Sequence, residues 1–183
     1  MTIFVIILLA IIAFVIFTYN GLVTSRQKVR NAWSQIDVQL QRRFDLIPNF
    51  VETIKGYMAH EKDVLTKVTE LRASWATAGT VSEKAEINNQ LSDTLKTIMA
   101  ISENYPDLKA NQNFLELQEE LRNTENRISY SRQFYNDSVT MYNTKLEVFP
   151  SNMIAGMFNF TAEVLFVAES EDARKNVKVN FNN

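Results

Sequence analysis

Histidine and cysteine, two side chains that often carry nucleophilic or metal chemistry, are nearly absent from this chain, and no spacing of its residues fits a common reaction centre. The single histidine, His60, precedes Glu61, but a zinc-peptidase helix needs a second histidine four residues later, where the sequence has Val64. There is no cysteine to act as nucleophile or ligand, and no Glu-x-x-His pair of the di-metal type. The sequence predicts a protein that is not an enzyme and uses no cofactor, metal or small-molecule substrate. We expect His60 on the polar face of a helix.

The polar residues that stand out lie next to aromatic residues, in runs such as 31–37, 42–45 and 134–137. A charge buried between helices needs an opposite charge close by. We therefore expect an interhelix polar network that sets the register of the helices, and a partner-recognition surface is the alternative interpretation. The residues assigned to the network are four acids and four arginines: Asp37, Asp45, Glu125, Asp137, Arg42, Arg43, Arg127 and Arg132.

An apolar run at the amino terminus is the most prominent element. Residues 3–17 carry no charge, proline or glycine, and with the flanking polar residues the run approaches the roughly 20 residues that cross a bilayer. A cleaved signal peptide would need a basic segment before the run and a small-x-small site after it, and neither is present. A buried core helix is the weaker alternative. Residues 1–19 are predicted to be a transmembrane anchor, with the bilayer contacted by Ile3, Phe4, Phe14, Phe17 and Tyr19.

Three basic residues, Arg26, Lys28 and Arg30, follow the apolar run directly. Positive residues near a span stay on the cytoplasmic side, so we expect the amino terminus outside and the chain from about residue 20 in the cytoplasm. These side chains are placed to contact anionic lipid headgroups, at about 1 kcal/mol each. The overall net charge of −2 argues against a nucleic-acid partner.

Four glycines and three prolines in 183 residues favour long helices with few turns. Apolar residues recur at spacings of three and four over about 20–78, which predicts a helix continuing from the anchor. Pro48 is the internal break signal, and one helix kinked there is preferred over two separate helices because Ile47 would be a poor N-cap. Thr80 and Glu83 match a capping box before a helix over about 82–104.

A further helix over about 111–148 completes the predicted bundle of residues 20–149. Its seam positions alternate at spacings of three and four, as in a coiled coil. The first series is large (Phe114, Leu121, Ile128, Tyr135, Tyr142 and Phe149), whereas after Leu117 the second series is small or polar (Thr124, Ser131, Ser138 and Lys145). Packing within the chain is the simpler interpretation, and contact between chains is the alternative. The fold class is therefore all-α: a transmembrane helix continuing into an elongated antiparallel helical bundle with coiled-coil-like seams.

The last segment, 150–183, is apolar and aromatic at 153–167 but too interrupted by polar residues for a second span. A short helix or loop that closes the bundle is the simpler interpretation, and a membrane-dipping segment or a subunit contact is the alternative. Residues 177–181 alternate like a short strand. The residues assigned to an assembly or partner surface are Phe114, Leu121, Tyr135, Tyr142, Met153, Ile154, Met157, Phe158 and Phe160.

Four long strings resemble the LemA family: AWSQIDVQLQRRFDLIPNFVETIKGY at 32–57, YPDLKANQNFLELQEELRNTENRI at 105–128, RQFYNDSVTMYN at 132–143 and FPSNMIAGMFNF at 149–160. The resemblance implies a bacterial inner-membrane protein with one amino-terminal span, a short outside terminus and a cytoplasmic antiparallel bundle. Some relatives are associated with membrane remodelling or organelle formation and others are encoded near membrane peptidases. No catalytic residues are attributed to the family.

The function expected from these observations is that of a homo-oligomeric scaffold that organises or remodels the membrane. The alternative is an adaptor for another membrane protein, such as a membrane protease. An enzyme would require an activity that is abolished by His60→Ala.

Overall fold

A computed structural model describes residues 1–58 and 60–167, and the regular structure within them is entirely α-helical. The helices are α1 (Thr2–Lys55), α2 (Lys62–Thr77), α3 (Val81–Ser102), α4 (Pro106–Lys109), α5 (Gln112–Glu147) and α6 (Ser151–Met157). The predicted all-α class is confirmed, with one long apolar amino-terminal helix followed by a helical bundle. The predicted strand-like segment at 177–181 lies outside the described residues.

Helix α1 passes through Pro48 and ends at Lys55, which corrects the preferred prediction of one helix over 20–78. A proline inside a helix costs about 3 kcal/mol through a lost hydrogen bond and a steric clash. Phe44, Ile47 and Phe50 surround Pro48 in sequence and are all buried. Each contributes about 1.5–3 kcal/mol on burial, so the packing of this face outweighs the proline.

The break in the helix falls at Gly56, eight residues later than the proline. Glycine is a weak helix former, and the amides of Tyr57 and Met58 both donate to the Ile54 carbonyl, at 3.0 and 2.9 Å. The chain leaves the helical path there and Met58 becomes fully buried. Burial of this side chain, rather than the proline, accounts for the separation of α1 from α2.

The described chain forms two compact units, and both α1 and α5 contribute to each of them. Unit 1 comprises residues 1–41 and 124–165. Its core consists of apolar side chains from α1, α5 and α6 that are at most 5% exposed: Leu22, Val29, Ala32, Ile36, Leu40, Ile128, Tyr135, Val139, Tyr142, Ile154 and Ala155.

Unit 2 comprises residues 42–123 together with Phe166 and Val167. In its core the Phe44 ring stacks on Trp75 with centroids 4.5 Å apart, and Phe50 lies 6.1 Å from Phe114. These pairs join α1 to α2 and α1 to α5.

The predicted capping box at the start of α3 is confirmed. The Glu83 amide donates to the Thr80 hydroxyl at 3.2 Å, and the Thr80 and Gly79 amides donate to the Glu83 carboxylate at 2.9 and 3.0 Å. The hydrogen bonds from Thr80, and then the one from Gly79, lower the pKa of Glu83 because they favour its charged form. A local sequence signal thus sets the start of α3.

Candidate functional site

The apolar beginning of α1 is the first component of the site. It is the only helix in the described part of the chain that is long and apolar enough to cross a membrane, and none of that stretch is buried. Ile3, Phe4, Phe14 and Phe17 are exposed, and Tyr19 is half-buried. A soluble protein rarely leaves so large an apolar surface uncovered. The exposure is therefore compatible with a membrane anchor.

Helix α6 packs directly against the end of this stretch, within unit 1. Leu22, Ile154 and Ala155 form a buried cluster, and the side chains packed around it include Val15, Tyr19, Leu146 and Phe160. The Tyr19 ring lies 4.8 Å from Phe158 and 5.7 Å from Phe160. Two aromatic residues that follow α6 therefore pack against one side of the end of the apolar stretch.

A Schellman-type end to α6 directs Phe160 back to this cluster. Asn159 has a positive φ of 53°, and its amide donates to the Gly156 carbonyl at 3.3 Å. The Phe160 amide donates to Ala155 at 3.0 Å. Asparagine tolerates the left-handed conformation better than most side chains, which explains its position here.

Basic side chains line the next two turns of α1. Arg26 is half-buried with its guanidinium 4.8 Å from the Phe160 ring centroid, a cation–π arrangement. Lys28 and Arg30 are exposed. Lys145, at the end of α5, donates to the Ser25 hydroxyl at 2.6 Å and adds a fourth cation to this level of unit 1. Lys145 was not predicted for this site because its position in the sequence pattern is that of a helix seam.

Three α5 side chains bind the extended segment that follows α6. The Tyr135 hydroxyl donates to the Val164 carbonyl at 2.8 Å, and the Tyr142 hydroxyl donates to the Thr161 carbonyl at 3.0 Å. Asn143 both donates to the Glu163 carbonyl at 2.8 Å and accepts from its amide at 3.0 Å. Seven helical residues and three extended residues each span about 10 Å, so the two sets of groups stay in register.

These contacts alter the acidity of both tyrosines. Burial, followed by the nearby Glu163 carboxylate, raises the pKa of Tyr135 to about 12. Burial also raises the pKa of Tyr142, against the opposing charges of Arg26 and Arg30. Both hydroxyls remain protonated donors at neutral pH, as their hydrogen bonds require.

Burial corrects much of the assignment of an assembly surface. Phe114 and Leu121 in unit 2, and Tyr135, Tyr142 and Ile154 in unit 1, are buried by packing within their own units. Alternating spacings of three and four describe any packed helix face, so the pattern did not distinguish packing within the chain from packing between chains. Phe160 is half-buried, and the residues of the set that remain exposed are Met153, Met157 and Phe158.

Two exposed apolar surfaces of unit 1 emerge instead. The α6 patch consists of Phe149, Met153, Met157 and Phe158, and only Phe149 was absent from the predicted set. The α5 stripe consists of Tyr130, Phe134 and Met141 on α5 and Val148 directly after it, all exposed. Its last three members are seven residues apart, and the four side chains lie within about 40° around the helix. The seven-residue spacing of the apolar residues Phe134, Met141 and Val148 was the sequence signal that could have revealed this stripe.

The predicted polar network takes a different form from the one expected. Arg43 is buried in unit 2 and donates to the Asn88 side-chain carbonyl at 2.8 Å and to the Ser92 hydroxyl at 2.9 Å. Arg42 forms an exposed ion pair with Glu120 at 2.8 Å. The partners Asn88, Ser92 and Glu120 were not predicted from the sequence. Of the other network residues, Asp37, Glu125 and Arg132 are half-buried, whereas Asp45, Arg127 and Asp137 are exposed.

Groups suited to catalysis do not converge in the described residues. His60 is exposed in the turn between α1 and α2 rather than on a helix. No cluster of three or more histidine or carboxylate side chains suited to a metal ion occurs within residues 1–58 and 60–167.

Comparison with known proteins adds a family match. The LemA family model matches residues 32–181. Over 150 residues the chain is 26% identical to Protein LemA of Metamycoplasma hominis, covering 81% of this chain and 68% of that protein. It is 24% identical over 186 residues to Magnetosome protein MamQ 2 of Paramagnetospirillum magneticum, covering 87% and 68%. It is also 24% identical over 179 residues to Magnetosome protein MamQ of Magnetospirillum gryphiswaldense, covering 84% and 66%.

Proposed function

Since the chain belongs to the LemA family, we propose that it is a membrane-anchored, non-enzymatic scaffold whose subunits assemble to organise or remodel the membrane. Two of its relatives are named magnetosome proteins, which agrees with the role in organelle formation that the resemblance implied. The exposed apolar stretch of α1 supports the anchor. The position of Arg26, Lys28 and Arg30 supports an inner-membrane protein with an outside amino terminus and a cytoplasmic bundle.

The α5 stripe carries the assembly part of the proposal. Tyr130 is 76% exposed and Met141 is 61% exposed, although both lie on a helix whose other face is packed in the core. Apolar side chains repeated every seven residues along a helix form the seam through which a second helix packs. Contact between α5 stripes of neighbouring copies would remove this surface from water.

The test is the mass of the full-length protein after gentle extraction from membranes, with Phe134→Lys and Met141→Lys combined in one variant. A charged residue at each position places an unpaired cation in the proposed seam, so we expect the multi-subunit mass to fall to that of one subunit. The matched control combines Gln133→Lys and Thr140→Lys. These exposed positions keep the same spacing and lie about 100° around the helix from the stripe, so the control should retain the parent mass.

The same measurement separates the two interpretations of function. A mass of one subunit together with a different membrane protein, such as a protease, would contradict the scaffold and favour the adaptor. In that case the lysine variant would be recovered as a single subunit without the second protein. A catalytic activity abolished by His60→Ala would contradict both interpretations.

A further inference from the structure

We propose that α6 and the turns on either side of it lie in the interfacial layer of the bilayer, with the α6 patch inserted among headgroups and the first acyl carbons. The inference rests on the membrane anchoring proposed above. The leaflet is the one reached by the carboxyl-terminal end of the α1 span. The proposed contact of the α6 patch is with lipid and is independent of the assembly through the α5 stripe.

The composition and exposure of the segment fit this location. From Phe149 to Phe160 no residue carries a charge. Within that segment Phe149 is 78% exposed, Met157 is 71% exposed and Met153 is 61% exposed. Met153 and Met157 are four residues apart and therefore lie on one side of α6, centred about 130° around the helix from the buried Ile154 and Ala155. The short helix thus has one face on its own unit and one apolar face directed away from it.

The depth follows from the contacts of α6 with α1. The residues of α1 that pack around the α6 cluster extend from Val15 to Leu22, a rise of about 10 Å centred near Tyr19. Tyrosine is enriched where a span meets the headgroups. Interfacial helices bury their apolar face about 5–10 Å into this boundary. The α6 patch is therefore held at the level at which the exposed apolar surface of the span ends.

The basic side chains beside the α6 patch are also suited to contact with lipid, whose headgroups can be anionic. Arg26 lies about 10 Å along α1 beyond Tyr19, next to the Phe160 ring, and Lys28 and Arg30 extend from the following turn. Lys145 is tied to Ser25 at this level. Apolar side chains bordered by cations on the water side are the arrangement found in helices bound to anionic lipid surfaces. Continuity with the span favours lipid over a second copy of the chain as the occupant.

The experiment uses the full-length protein in vesicles of phosphatidylcholine and phosphatidylglycerol, with one spin label on each variant. The native chain has no cysteine, so Met153→Cys and Met157→Cys each carry a unique label. Accessibility to oxygen, which concentrates in lipid, is compared with accessibility to a water-soluble nickel chelate. Val38→Cys is the aqueous control, since Val38 is 63% exposed and lies about 28 Å along α1 from Tyr19. Leu8→Cys is the control within the span.

We expect labels at 153 and 157 to favour oxygen over nickel, as the label at 8 does, and the label at 38 to favour nickel. Nickel access at 153 and 157 equal to that at 38 would overturn the inference while leaving the anchor intact. Exclusion of both reagents, with dipolar broadening between labels, would identify a second copy as the occupant and also overturn it. Nickel access at position 8 would instead show that the anchor itself, and with it the proposed function, is wrong.

Discussion

Among the three α5 side chains that bind the extended segment of unit 1, Asn143 makes two hydrogen bonds, one to the amide and one to the carbonyl of Glu163. We expect Asn143→Asp to lower the free energy of unfolding by about 1–3 kcal/mol. The carboxylate still accepts from the Glu163 amide but faces the Glu163 carbonyl with no proton to donate. Thermal unfolding of the detergent-solubilised protein measures the effect.

Asn126→Asp serves as the control for this prediction, because Asn126 is exposed on the same helix of unit 1 and receives the same change in charge. Equal melting temperatures for the two variants would show that the Asn143 bonds make no net contribution to stability.

Tyr135 predicts a pH dependence of stability. Its pKa is raised from 10.0 to about 12 in the folded protein, so the folded state holds the phenolic proton more tightly than the unfolded state does. This contribution is fully present below pH 10 and is lost as the pH rises from 10 through about 12. We expect Tyr135→Phe to unfold with a shallower pH dependence in this window, as followed by thermal melts. An unchanged slope would contradict the assignment.

At the scale of single elements, α1 continues through Pro48 because side-chain packing outweighs the low helix propensity of proline. Pro48 is exposed inside an unbroken helix, while its neighbours Ile47 and Phe50 are buried. Alanine restores the missing amide and removes the ring clash, although the unfolded chain regains some freedom. We expect Pro48→Ala to raise the free energy of unfolding by about 2 kcal/mol in urea titrations. Destabilisation would mean that the proline shapes the packing of α1 in unit 2.

How well each element could be predicted depended on whether its signal was local. The apolar run at 3–17 and the Thr80–Glu83 capping box are complete within a few residues, and both have a direct structural counterpart. The end of α1 was not predicted because the stabilisation that separates α1 from α2 comes from burying Met58, which is a tertiary effect. The proline is the more obvious signal in the sequence, but it does not end the helix. Sequence periodicity marked where α5 is packed but did not identify what packs against it.

The candidate site shows the same division between local and tertiary information. Arg26, Lys28 and Arg30 could be found by their position after the apolar run. Tyr135 and Tyr142 were placed on an assembly surface, whereas their hydroxyls bind backbone carbonyls of the 161–164 segment. That role depends on the packing of the 161–164 segment back against α5, which no short sequence pattern predicts.

At the scale of the whole molecule, orientation in the membrane is the property most open to test. Positive residues within about 15–20 residues of a span set its direction. We expect a variant carrying Arg26→Gln, Lys28→Gln and Arg30→Gln, with Thr2→Lys added, to insert partly in the opposite direction. Labelling of the Val38→Cys form of this variant with a membrane-impermeant thiol reagent, applied to intact cells, measures the inverted fraction.

The control for orientation combines Lys55→Gln, Lys62→Gln and Lys67→Gln, which remove three charges more than 30 residues beyond Tyr19. Their distance from the span predicts no change of direction. If both variants remained fully in the parent orientation, the flanking charges would not be what sets the topology.

The hydrogen bond between Lys145 and Ser25 joins residues 120 positions apart, so during synthesis the nascent chain cannot form this contact until α5 has been made. A ribosome that adds roughly 5–20 residues each second needs roughly 6–24 s to make the intervening sequence. Throughout that delay, the face of α1 from Leu22 to Leu40 has emerged without the α5 surface that later covers it. The speed of translation between α1 and α5 therefore sets how long the apolar face of α1 stays exposed on each nascent chain. During that time the face is accessible to neighbouring chains, to chaperones and to the membrane.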